Sequence, residues 1–222
     1  MVQMKLVSIA CLLAGMAFQS AETKTMTKMD VRLMGPGIRP GSNAALPKLI
    51  YRAGTKYARM EEAPEASQRI EKVTIIAEPD AYSIDLMGHT GTHAIDQGGP
   101  NDMHLPMVLP FDPNHKLGPL DRLEFGEELD FFSKASATKS AGPIINGKPT
   151  DRYTLDVAGS HAELITREAS DVAVFVSWTA KDGTYKYEYD TYQEVPFDAK
   201  LFSRPVGIKF REIRPARADE MN

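Results

Sequence analysis

The sequence predicts a mainly β protein of the α+β class, built on an antiparallel sheet of about ten strands with a few short helices. Two observations lead to this prediction: apolar and polar residues alternate with a period of two along most of the chain, and short turn sequences separate the alternating segments. A third observation limits the helices, because one main segment has apolar residues at helical spacing. A long proline-rich loop is expected to lie over one face of the sheet.

Five strand-like segments occupy the first half of the chain. Each has apolar residues at alternate positions, and turn-type linkers such as Pro79-Asp80 join the later segments. Because short turns of this kind connect neighbouring antiparallel strands, we expect these segments to pair in sequence order. The segments are Lys48–Gly54, Lys56–Glu62, Lys72–Glu78, Ala81–Met87 and Thr92–Asp96.

The long connection that follows, Gln97–Gly118, contains four prolines and a run of apolar side chains. Connections of this length usually carry a function, as lids or binding loops, or else are disordered. The apolar content argues against disorder and predicts that the loop packs onto the sheet. The side chains expected to line a cavity there are Met103, Leu105, Met107, Leu109 and Phe111.

The main helical segment is Pro119–Ser136. Its apolar residues include Leu129 and Phe132, and its acidic residues come early with Lys134 late, as the helix dipole prefers. Gly126 interrupts the pattern, so we expect one or two short helices. Adjacent carboxylates such as Glu127 and Glu128 are expected to be solvated, and we assign them no catalysis.

The clearest alternation lies in the last third of the chain. Val172, Val174, Val176 and Trp178 are predicted to share one face of a strand, and Asp182-Gly183 supplies a hairpin turn. The next strand alternates tyrosines with charged residues. The other strands predicted in this part of the chain are Asp151–Val157, Ala162–Glu168 and Val206–Ile213.

The two ends of the chain differ from the middle. Residues 1–21 are typical of a secretory signal peptide, because the apolar run Leu6–Phe18 is too short to span a bilayer and small residues follow it. Residues 22–47 contain many glycines and prolines and are expected to be irregular. A single β-rich domain is predicted for residues 48–213, followed by a polar tail at 214–222.

Composition excludes several classes of protein. The only cysteine, Cys11, lies in the apolar run, so a mature chain has neither a disulfide framework nor thiol chemistry. The formal net charge of −4 without a basic block argues against nucleic acid as a partner. No second apolar run is long enough to cross a membrane. The sequence also lacks a nucleophile elbow, a P-loop and a dinucleotide fingerprint.

Histidines cluster between residues 88 and 106. His89, His93 and His104, together with Asp96, form one candidate site for zinc or another divalent metal. The glycines around them make a helix improbable, so the spacing of His89 and His93 does not by itself place both on one side. Histidines of a hairpin and a loop, with ordinary hydrogen bonds, are the competing interpretation.

Several segments resemble the family of periplasmic outer-membrane lipoprotein carriers. The segments are LIYRAGTKYARMEE with Arg59, EKVTIIAEPDAYSIDLMGHTGTHAID, TDRYTLDVAGSHAELITRE, and VAVFVSW followed by VPFDAKLFSRPVGIKF. The resemblance covers about Lys48 to Phe210 and implies a curved, incomplete antiparallel barrel with helices over its concave face. It also implies that apolar chains bind between sheet and helices, and it gives Arg59 only as a strand arginine in the matching place.

Together these observations predict an exported envelope protein, periplasmic or secreted, that carries or senses a lipophilic ligand. The partner would be a lipophilic small molecule or a lipid-modified protein, with no cofactor and no catalytic residue. The alternative is a metal-binding module or metal-dependent enzyme that uses the histidine cluster. The candidate ligand-binding residues are Met103, Leu105, Met107, Leu109, Phe111, Leu129, Phe132, Trp178 and Arg59.

Overall fold

The alternating segments fold into the strands of one sheet. In this computed structural model, the structure describes residues 24–213 with gaps at 66, 96–104, 106, 108–119, 121 and 158. The helix α1 spans Glu128–Lys134, and short 3-10 helices occur at Asn43–Ala45 and Ala199–Phe202. The strands are β1 (Thr25–Met34), β2 (Lys48–Ala53), β3 (Tyr57–Glu62), β4 (Lys72–Ala77), β5 (Asp80–Asp85), β6 (Thr90–Ile95), β7 (Thr138–Ala141), β8 (Thr150–Val157), β9 (Ser160–Arg167), β10 (Ala173–Ala180), β11 (Gly183–Pro196) and β12 (Lys209–Ile213).

The strand order across the sheet is β12-β6-β5-β4-β3-β2-β1-β11-β10-β9-β8-β7. Every pairing is antiparallel except that of β12 with β6, which is parallel. In the described part of the chain, β12 and β7 form the two edges and the sheet does not close on itself. The predicted mainly β fold is therefore confirmed, since the sheet is open, almost entirely antiparallel and consistent with an incomplete barrel.

The prediction of an irregular segment at residues 22–47 is wrong for its first part. Strand β1 lies there, at the centre of the sheet between β2 and β11. Its side chains Met29, Val31 and Leu33 alternate and are buried. The glycines and prolines that suggested irregularity begin only at Gly35, directly after the strand ends, so they mark the turn and not the whole segment.

Both faces of the sheet carry an apolar cluster. We call the face on which α1 lies the helix face; its buried residues include Met29, Ile50, Val176 and Tyr187. The opposite face is covered by the chain after β11, and its cluster includes Tyr82 and Phe202. The two-sided covering explains why several strands alternate less cleanly than a half-solvated sheet would.

Strand β10 does not keep the face predicted for all four of its residues. Val176 and Trp178 are buried on the helix face, but a register irregularity falls between Ala173 and Phe175. Ala173 consequently joins the helix-face cluster, while Val172 and Val174 are half-buried. A bulge of this kind inserts one residue and turns the preceding side chains to the other face.

The helical segment is shorter than the sequence pattern. Only Glu128–Lys134 is α-helical, because Gly126 adopts φ +81° and turns the chain just before it. A Cβ on Gly126 would lie 3.1 Å from Cγ of Arg52. The turn therefore needs glycine for both its conformation and its close approach to β2. Within the described residues, no helix has the length and apolar character needed to cross a membrane.

Candidate functional site

The helix face is covered by a segment with little regular structure. We define the cover segment as Leu120, residues 122–135, and the loop residues Leu105 and Met107. Six of its apolar side chains are almost completely inaccessible to solvent, and one of them, Phe125, meets the ring of Tyr187 edge-on with centroids 5.0 Å apart. The buried apolar side chains of the cover segment are Leu105, Met107, Leu120, Leu123, Phe125 and Phe132.

Polar contacts anchor the cover segment to the sheet and to the loop. Nη1 of Arg52 on β2 donates to Oε2 of Glu124 at 2.6 Å, and both side chains are buried. The amide of Leu105 donates to the same oxygen at 3.4 Å, and the amide of Met107 donates to the carbonyl of Leu123 at 2.8 Å. A buried pair of this kind fixes position more than it adds stability, because both charges have lost water.

A second polar contact lies at the start of α1. Glu128 is 2% exposed, and its Oε1 accepts from the amide of Gly126 at 2.7 Å and from the hydroxyl of Tyr189 on β11. Burial raises the pKa of Glu128 to about 7, although both hydrogen bonds oppose the rise. Burial next to this carboxyl also raises the pKa of Tyr189 well above its usual value. The cover segment thus carries a carboxyl group that titrates near neutral pH.

A cleft of about 350 Å³ opens beside α1. Burial raises the pKa of one of its carboxyl groups, that of Glu127, whose Oε1 lies 3.7 Å from Nε of Arg52. Two residues of the cleft, Leu129 and Tyr192, also pack against the helix-face cluster. Its lining is Gly126, Glu127, Glu128, Leu129, Asp130, Ser133, Asp171 and Tyr192.

The structure brings together some of the ligand-binding residues predicted from the sequence. Leu105, Met107, Phe132 and Trp178 all lie in the helix-face cluster with exposures of 4% or less. Leu129 is half-buried and borders the cleft. The other loop candidates, Met103, Leu109 and Phe111, lie outside the described residues.

Arg59 does not join these residues, and its grouping with them needs correction. It alternates on β3 with Ala58, which faces the helix side, so Arg59 points to the opposite face. There its Nη1 donates to the carbonyl of Leu201 at 2.9 Å and its Nε to Glu61 at 2.6 Å. Arg59 therefore holds the chain after β11 against the sheet.

The histidine cluster is only partly inside the described residues, because Asp96 and His104 are not. His93 is buried, stacks on Tyr82 with centroids 4.7 Å apart, and has one ring nitrogen 2.7 Å from Asp80 Oδ1. Its other ring nitrogen contacts Glu212 on β12. Both ring nitrogens are therefore engaged by carboxylates, which leaves neither of them free to bind a metal.

His89 lies in the turn before β6 with φ +52°, and its carbonyl accepts from the amide of Lys209 at 2.9 Å. In the ranges that the structure describes, no group of three or more histidine, cysteine or acidic side chains could hold a metal ion. His89 and His93 thus serve in these contacts as parts of a turn and of a strand junction.

The sequence pattern missed the polar anchors of the cover segment. The prediction of a solvated Glu128 is wrong, because the turn at Gly126 directs this side chain beneath the helix toward Tyr189. A signal was present in KLIYRA, where Arg52 shares the apolar face of Ile50. A cation at such a position needs a buried acidic partner from elsewhere in the chain.

Comparisons with known proteins give information on the fold alone. No family model matches the chain, and no curated protein matches it. An uncharacterized conserved protein from Thermus thermophilus is 10% identical with a TM-score of 0.55, covering 86% of this chain and 91% of that one. This similarity shows a shared fold.

Two further structures are less similar. PNGF-II, in a C2 crystal, is 8% identical with a TM-score of 0.40, covering 86% of this chain and only 31% of its own. The LolA superfamily protein NE2245 from Nitrosomonas europaea is 8% identical with a TM-score of 0.36, covering 82% of this chain and 91% of that one. This similarity agrees with the resemblance to the lipoprotein-carrier superfamily given by the sequence, but at this TM-score it carries no argument about the chain.

Proposed function

We propose that this chain is an exported envelope protein that binds a lipophilic ligand between the helix face and the cover segment. The ligand would be an acyl chain, free or attached to a partner protein, and the protein a carrier or sensor. One observation carries the proposal. A broad apolar sheet face is covered by a short segment with seven helical residues, which rests on that face through apolar side chains and a few polar anchors.

The construction of the cover segment favours entry of a ligand beneath α1. The helix lies over β8, β9 and β10, whereas the Arg52–Glu124 pair fixes the chain before it to β2. An acyl chain lying beneath the cover segment would displace the helix, which borders the cleft at Leu129, and leave that pair intact. Each buried methylene of the ligand would contribute about 0.8 kcal/mol before ordering costs, so a fatty acyl chain can replace the contacts that Phe132 loses.

The proposed location follows from the first residues of the chain. The apolar run Leu6–Phe18, with small residues after it, fits a signal peptide that is removed on export. We therefore propose the periplasm or the extracellular space as the site of action. A lipophile released from a membrane needs a protein that shields it from water in such a compartment.

Titration with a dansyl-labelled fatty acid tests the proposal. We expect saturable binding at one site with a rise in fluorescence, and weaker binding in Leu129→Ala, whose side chain borders the cleft. Leu201→Ala is the matched control, because Leu201 is also a half-buried leucine but packs on the opposite face. Absence of saturable binding, or equal weakening in the two variants, would refute binding beneath α1.

A further inference from the structure

On the helix face, the side chains become polar and charged at the end of the sheet formed by β4, β5, β6 and β12. The strand registers align side chains there in rows that cross the four strands. One row begins with Lys72, and its next members are Asp85, Thr90 and Lys209. These residues alternate with the buried side chains of the opposite face, so they point to the helix side.

A second row, one pleat further along, runs from charged to apolar. It starts at Arg211 on β12 and crosses Thr92, Ser83 and Thr74 in register. The same row then continues through Met60 on β3 into the core residues Ile50 and Met29. Since neighbouring strands are about 4.8 Å apart, the three strand spacings from Thr92 to Met60 cover roughly 14 Å.

A groove of about 560 Å³ lies over the charged end of these rows. Its lining includes three cationic side chains, Lys72, Lys209 and Arg211, all exposed. None of the three makes a side-chain hydrogen bond or ion pair with another described residue. The hydroxyl groups of Ser83, Thr90 and Thr92 line the same groove.

Among the described residues that line the groove, one carboxylate is present, that of Asp85, and it does not neutralise these cations. Asp85 accepts hydrogen bonds from the amides of Glu71 and Met87, at 3.2 and 3.1 Å, which lower its pKa together with the amide of Gly88. Its charge is thus engaged by backbone amides of the turn after β5 and of Glu71, the residue before β4. Three cations and one carboxylate leave the groove positive in a chain whose formal net charge is −4.

We infer that this groove binds the anionic headgroup, a phosphate or a carboxylate, of the lipophile, whose acyl chain then runs along the second row past Met60 toward Ile50 and Met29 beneath the cover segment. The inference rests on the proposed function and names its ligand as an anionic amphiphile. Lys209 and Arg211 lie two residues apart on one strand, so both long side chains reach one headgroup. The guanidinium group offers paired donors to its oxygens, and the threonine hydroxyls add further donors.

The test compares two single-chain lipids that share one acyl chain, a lysophosphatidic acid and an uncharged monoacylglycerol, as competitors of the dansyl-labelled fatty acid. Because charge-assisted hydrogen bonds are the strong ones, we expect the phosphate lipid to bind about tenfold more tightly to the natural protein. In the double variant Lys209→Gln with Arg211→Gln, we expect the ratio of the two dissociation constants to fall toward one. The affinity for monoacylglycerol should be retained.

The control is the double variant Lys148→Gln with Arg167→Gln. It removes the same charge from two exposed positions outside the groove and should keep the tenfold preference. Rising salt should reduce the preference of the natural protein, since the groove is open to solvent. Thermal unfolding of both double variants shows whether the fold is retained.

Each of the other outcomes refutes either the headgroup site alone or the headgroup site together with the proposed function. Equal affinity of the natural protein for the two lipids, or an unchanged ratio in the groove variant, refutes the headgroup site and leaves the proposed function standing. Inorganic phosphate that competes at lipid-like concentrations makes the groove a site for free anions and also refutes it. No binding of either lipid refutes the proposed function and this inference together.

Discussion

Glu128 makes the stability of the protein depend on pH, and Glu128→Gln should remove that dependence. The folded protein holds the carboxyl in a buried site, with its pKa raised from 4.5 to about 7. The folded state therefore binds this proton more tightly than the unfolded state does. Stability falls as pH rises from about 4.5 through about 7, and above pH 7 the full cost of burying the charge is present.

The change in unfolding free energy follows from the size of the pKa rise of Glu128. At 1.36 kcal/mol for each unit, the rise from 4.5 to about 7 corresponds to about 3 kcal/mol of unfolding free energy. A glutamine at this position keeps an oxygen that accepts from Gly126 and Tyr189, but it never ionises. We expect Glu128→Gln to match the natural protein near pH 4.5 and to be more stable by about 3 kcal/mol at pH 8.

Urea denaturation of both proteins at pH 5 and pH 8 measures the effect, with equal slopes showing that the unfolded states are comparable. Glu168→Gln is the control, because Glu168 is an exposed glutamate whose neutralisation should leave the pH dependence unchanged. A difference between natural protein and Glu128→Gln that is the same at both pH values would refute the reasoning. The same gain at pH 8 in Glu168→Gln would refute it equally.

The remaining predictions concern the core, the histidines and the first residues of the chain. Trp178→Ala should lower the unfolding free energy by about 3–5 kcal/mol in the same urea assay, since the ring is buried. Ile144→Ala is the control and should change it by less than about 0.5 kcal/mol, because that side chain is exposed. Purified protein should retain no stoichiometric zinc by elemental analysis, because carboxylates occupy both nitrogens of His93; zinc that survives gel filtration would contradict this. Mass spectrometry of the exported protein should find its N-terminus at a residue between Phe18 and Lys24; an intact Met1 in the cytoplasm would contradict export.

Local patterns were sufficient to predict the hairpin of β10 and β11. Tyr185, Tyr187 and Tyr189 are buried as their alternation indicated, and the hairpin that aligns them joins strands adjacent in sequence. The bulge near Ala173 was not predictable from alternation, since one inserted residue leaves the composition of the strand unchanged. Strand faces are thus reliable only as far as the register is regular.

Contacts between distant parts of the chain were beyond the sequence pattern. The parallel pairing of β12 with β6 depends on the path of the chain after β11, which no local period encodes. The burial of Glu128 is similar, because it requires Tyr189 from another element. The apolar residues of the candidate site could therefore be predicted, because burial alone selects them. Its polar anchors were missed, because each needs a specific partner.

The central position of β1 has a consequence for the order of folding. Thr191 on β11 donates its hydroxyl to Asp30 on β1 across 161 residues, so the two halves of the sheet join only when nearly the whole chain is available. Long-range pairing of this kind raises the contact order and slows folding, because a large loop must close before the strands gain their contacts. We expect the unjoined halves to persist as an intermediate with β1 unpaired along one edge. Such a delay would be compatible with the proposed export, in which the chain stays unfolded while it crosses a membrane.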